Sequence, residues 1–222
     1  MTLFRTISGL ALLLLFAALA YDLKRQWKNW NAVREFLVSQ MRLPLLVWQK
    51  RQALLAENIL LFARRIVFLL TVLVFLLLAI TGFVPLLVLG DHLTGILLVI
   101  HVTVAPLFAL SLSALALLWA HRLRFLRSDG EAVRGLINNR YQEKENIIRF
   151  AWKTCFWLVS VLSLPLMLTV ILGLYPLFGT EGEEVLIRLH GYSALFLMLV
   201  AIVHLYLTIA YVKQSPEQFV KE

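Results

Sequence analysis

Five stretches of this chain stay apolar for about as long as a helix needs to cross a bilayer, and that constrains the fold more than any other feature. A crossing takes about 20 residues. The runs at 3–21, 66–89, 95–120, 150–176 and 187–212 meet that length or come close to it. In lipid every backbone N–H and C=O must be satisfied internally, so such segments span as helices. The expected class is therefore all-α, an integral membrane helical bundle. Composition agrees: 61% of the 222 residues are hydrophobic and 15% charged, whereas soluble domains carry about 25% charged residues. Cys155 is the single cysteine, which excludes a disulfide framework. The net charge of +8 would suggest nucleic acid in a soluble protein. Here the basic residues lie between the apolar runs and act as topology signals, so the lipid bilayer is the expected partner and no nucleic acid is expected.

The segment from Asp22 to Arg65 carries nine basic and three acidic residues, and the loop from His121 to Arg149 carries seven basic ones. Basic segments stay in the cytoplasm. Residues 85–94 hold no Lys or Arg, and the turn around Gly179–Glu184 is acidic. The alternation places the N-terminus outside and the C-terminus inside. Run 3–21 reads as a retained helix, the alternative being a signal peptide cut after Ala18-Leu19-Ala20. The expected divisions are 1–22, an N-terminal spanning helix; 23–65, a basic amphipathic cytoplasmic segment; 66–215, a four-helix core; and 216–222, a tail.

Ionisable side chains inside spans are functional candidates by default. As the spans are drawn, almost nothing polar is expected inside them except histidine, and no Asp or Glu, which argues against a proton-coupled transporter or cation channel. His190 and His204 are 14 residues apart on the last span. At 100° and 1.5 Å per residue they fall within about 40° of one face and about 21 Å apart along the axis. His101 opens the third span at the depth expected for His190. Imidazole is an axial ligand for haem iron, and helical bundles build such sites from facing helices. His101, His190 and His204 are thus the candidate iron ligands, and Arg188 is a candidate partner for a haem propionate. Gly95, Gly191 and Ala194 are the small residues expected to make room for a macrocycle. His121, about 160° away from the His101 face, reads as an interfacial histidine, and His92 as a solvated loop residue.

Leu189-His190-Gly191-Tyr192, Val203-His204-Leu205-Tyr206-Leu207 and Tyr211-Val212-Lys213 on the last helix, with Ile100-His101 and, more weakly, Thr81-Gly82, resemble the membrane cytochrome b subunits of formate dehydrogenases, thiosulfate reductases and nickel-iron hydrogenases. The resemblance covers residues 64–215. It implies a four-helix core binding b-type haem, in a multi-pass subunit of the bacterial inner membrane. Electrons would pass between the quinone pool and a periplasmic iron-sulfur or multihaem redox subunit. It also implies an outer haem on His101 and His190, and an inner haem on His204 and a histidine near the start of the first core helix. Phe68 stands at about that last position.

The expectation is therefore an electron-transfer subunit with no catalysis of its own, the alternative being a non-redox membrane anchor or assembly subunit that keeps the cytochrome b fold. One haem b per chain is expected, two being the family pattern, with His204 left beside a quinone.

Overall fold

The computed structural model describes residues 2–26, 34, 38, 56–90, 93–138, 144–175 and 177–214. Among these residues all regular structure is helical. Helix α1 is Thr2–Gln26, α2 is Ala56–Val84, continued by a π-helical turn at Pro85–Leu89, and α3 is Gly95–Ala120. A short α4, Arg127–Ile137, precedes the long α5, Lys144–Gly173, and α6, Gly179–Gln214. Five of these helices are long and apolar enough to cross a membrane. The chain is a multi-pass helical membrane protein. Large apolar side chains such as Leu73, Leu110 and Leu117 are exposed, the arrangement of a bundle whose solvent is lipid rather than water. Most of the expected amphipathic cytoplasmic segment, together with His92, lies outside the described residues.

The chain forms two compact units. The first holds Met1–Thr6, Ala18–Arg124 and Val212–Glu222; the second holds Ile7–Ala17 and Phe125–Tyr211.

In the first unit α2 and α3 form a close hairpin. Its buried face on α3 comprises Phe108, Ser111, Leu112 and Leu115, the spacing of one helical stripe. Phe108 meets Phe75 of α2 with ring centroids 5.9 Å apart. The turn of this hairpin follows from Pro85, which lacks the N–H that would have bonded back to Thr81, and whose ring crowds that carbonyl. The helix widens into the π turn and stops at Gly90, whose φ of 73° favours glycine. Gly90 N–H donates to the Pro85 carbonyl at 3.0 Å. Arg5 of α1 caps the same turn, donating to the Leu87 and Val88 carbonyls at 3.2 and 3.4 Å. A Cβ on Gly90 would collide with that guanidinium. At the opposite end Arg64 donates to the Leu118 carbonyl at 3.1 Å, satisfying a carbonyl in the last turn of α3, where acceptors lack helical partners.

In the second unit α4 packs on α5. Its N-terminus is set by Asp129, whose carboxylate accepts the Leu126 backbone N–H at 2.7 Å, half of a capping box. The same carboxylate receives Lys153 Nζ at 2.9 Å, and Arg149 Nε lies 3.7 Å from its other oxygen. Asp129 is 1% and Lys153 2% exposed. This corrects the expectation that the spans hold almost nothing polar but histidine. Lys153 lies inside the fourth span, tolerated because a carboxylate from the preceding short helix neutralises it. Helices α5 and α6 are held by side chains rather than close backbones. Trp152 stacks on Tyr211 at 5.4 Å and donates its indole N–H to Thr208 at 3.0 Å.

Candidate functional site

Each unit sets one histidine against a threonine of the preceding helix of its own hairpin. In the first unit His101, in the second turn of α3, is half-buried against α2. Its Nδ1 lies 2.8 Å from Thr81 Oγ1. Thr81 itself donates to the Leu77 carbonyl at 2.8 Å, with Leu78 at 3.2 Å. The neighbouring residue is Gly82, and a Cβ there would stand 3.3 Å from His101 Cε1. The absent side chain lets the imidazole lie against α2. The small residue that matters to this ring is therefore Gly82: a Cβ on Gly95 would meet nothing within 4 Å.

In the second unit His190, on α6, makes the equivalent contact with α5. Its Nδ1 is 3.2 Å from Thr169 Oγ1 and 3.2 Å from the Leu166 carbonyl. Thr169 donates to the same carbonyl at 2.8 Å. His204 also meets α5, as expected for two residues on one face of α6. Its partners lie toward the other end of α5: Trp152, with parallel rings 6.1 Å apart, and Phe156 at 6.2 Å. His204 Nδ1 is buried without a hydrogen-bond partner among the described residues. Beside this aromatic cluster is an apolar cavity of about 330 Å3, lined by Ala11, Leu15, Cys155, Leu158, Leu199, Val200 and Val203.

Other candidates lie outside these arrangements. Arg188 is exposed on α6, two residues before His190. His121 caps the C-terminus of α3 and is exposed, in keeping with an interfacial role. Phe68 is half-buried on α2 and brings no donor atom.

The donor chemistry fits haem at two of the three histidines. Among the described residues no three His, Cys, Asp or Glu side chains gather as an all-protein metal cage requires. Haem iron asks the protein only for axial donors. A ligating histidine characteristically donates its second ring N–H to a fixed acceptor, which sets tautomer and ring orientation. Thr81 Oγ1 stands where such an acceptor would stand beside His101, and the Leu166 carbonyl with Thr169 beside His190. Nδ1 of His204 has no such acceptor among the described residues. Both threonines escaped the sequence analysis as partners of the histidines. The available signal was a hydroxyl residue in an apolar span, 20 or 21 residues before a spanning histidine.

Comparison of the chain with protein-family models, with curated proteins and with solved structures finds no match.

Proposed function

We propose that this protein is the membrane cytochrome subunit of a larger oxidoreductase in a bacterial inner membrane. It carries electrons through b-type haem between the quinone pool and a periplasmic iron-sulfur or multihaem subunit. The observation that supports this most is a local arrangement found separately at His101 in the first unit and at His190 in the second. Each imidazole has its Nδ1 engaged by the preceding helix of its own unit. His101 and His190 would hold the iron, and Arg188, two residues from His190, would meet a propionate as a charge-assisted partner. The haem supplies one-electron chemistry, while the helices fix its position and potential. His204 has a different part. Its buried, unpartnered Nδ1 and its stack on Trp152 suit a hydrogen bond to a quinone oxygen. The apolar cavity next to Val203 suits the quinone's hydrocarbon tail.

The test is a pyridine haemochrome assay with a reduced-minus-oxidised spectrum of the purified chain. About one b haem per chain is expected. A colourless protein purified from haem-replete cells would overturn the reading in favour of a non-redox anchor.

A further inference from the structure

The same local device occurs twice in the fold, once in each hairpin. In the α2–α3 hairpin the Thr81 hydroxyl has one proton, and the Leu77 carbonyl, which can only accept, lies 2.8 Å away to receive it. With its proton on that carbonyl, the hydroxyl oxygen faces His101 Nδ1 at 2.8 Å as an acceptor, the pairing that a proton on Nδ1 completes. In the α5–α6 hairpin the Leu166 carbonyl lies 3.2 Å from His190 Nδ1 and again can only accept. Thr169 gives its proton to the same carbonyl at 2.8 Å and turns its oxygen toward the ring. Both surroundings favour the tautomer with the proton on Nδ1 and the lone pair on Nε2.

We infer that Thr81 and Thr169 are positioning residues: Thr81 fixes the tautomer of His101, and Thr169 together with the Leu166 carbonyl that of His190, so that Nε2 is presented to haem iron. The inference rests on the proposed haem reading for its purpose, though not for its geometry. An acceptor on Nδ1–H makes the imidazole a stronger electron donor and favours the ferric state. Removing the Thr81 hydroxyl should raise the midpoint potential, and removing that of Thr169 should raise it less, since the Leu166 carbonyl remains an acceptor. Gly82 completes the first device, because a Cβ there would stand 3.3 Å from His101 Cε1 and the ring would have to give way.

Two measurements on the full-length protein test this. In the haem-bound protein, Thr81→Val should keep haem, shift the redox midpoint upward and alter the low-spin ferric EPR signal, and Thr81→Ser should restore both. Thr169→Val should keep haem with a smaller shift, because the Leu166 carbonyl stays beside His190 Nδ1. In protein prepared without haem, 15N-histidine NMR should show His101 and His190 in the Nδ1–H form, and Thr81→Val should relax His101 while His190 keeps its form in Thr169→Val. A Thr81→Val variant with wild-type potential, EPR signal and 15N shifts would overturn the inference. So would wild-type histidines in the Nε2–H form. A wild-type chain that binds no haem would defeat the electron-transfer reading, while the 15N spectrum would still decide the tautomer.

Discussion

A histidine that holds iron has to offer one ring nitrogen and anchor the other, and this distinguishes the four described histidines better than their depth does. His101→Ala and His190→Ala are expected to abolish haem binding while the helices remain inserted, checked by haemochrome assay and membrane fractionation. An unchanged low-spin spectrum in either variant would exclude that residue as ligand. His121→Ala should keep haem, because His121 is exposed at the end of α3. Gly82 is predicted to be sensitive for steric reasons. Gly82→Val puts a Cβ about 3.3 Å from His101 Cε1, and overpacking of this kind costs about 1–3 kcal/mol. Haem affinity should fall roughly 5- to 150-fold, measured by haem titration of the apoprotein. Wild-type affinity in that variant would mean that the ring does not rest on α2.

Among the elements, α4 is attached through charge. Asp129 serves its backbone cap and Lys153 at once. Asp129→Ala would take the carboxylate away from the buried Lys153 ammonium, and breaking a buried pair in this way costs about 3–5 kcal/mol. The melting temperature in detergent should drop sharply. The double substitution Asp129→Leu with Lys153→Met should recover much of the loss, since an apolar pair removes both charges. If the double variant were as unstable as the single, the charge pair would not be what docks α4.

Hydropathy located the spans well and helix ends poorly. The third span, 95–120, coincides with Gly95–Ala120, because its apolar run begins and ends with the helix. Helix α6 starts at Gly179, well before the apolar run at 187, since its first turns are polar yet still helical. Helix α4 looked like loop because it is amphipathic and short, with a polar face that hydropathy averages away. Lys153 was missed for a related reason: one cation disappears in a strongly apolar window, and its counter-ion is 24 residues away in sequence. The histidines were legible because they are rare in such spans. Their threonines were not, because a hydroxyl in a membrane helix commonly back-bonds to its own helix, as Thr71 does with Val67 at 2.7 Å.

For the molecule as a whole, the distribution of basic residues predicts the orientation. A reporter inserted near Asp129 or fused after Glu222 should be active only in the cytoplasm, and one near Gly182 only outside. Periplasmic activity at Asp129 would invert the protein and remove the basis for an outer redox partner. The Asp129–Lys153 pair also bears on how the chain enters the membrane. A lysine adds about 2.5–3.5 kcal/mol to insertion when it sits at the centre of a helix, and less toward an end. Ribosomes deliver Asp129 first, so the counter-ion has already emerged when α5 is offered to the translocon. The order of the two residues makes the short helix α4 an assembly aid for the span that follows. In a glycosylation-mapping translation assay, Asp129→Ala should lower the fraction of α5 that inserts, and Lys153→Met should restore it. Equal insertion in all three chains would confine the pair to the finished fold.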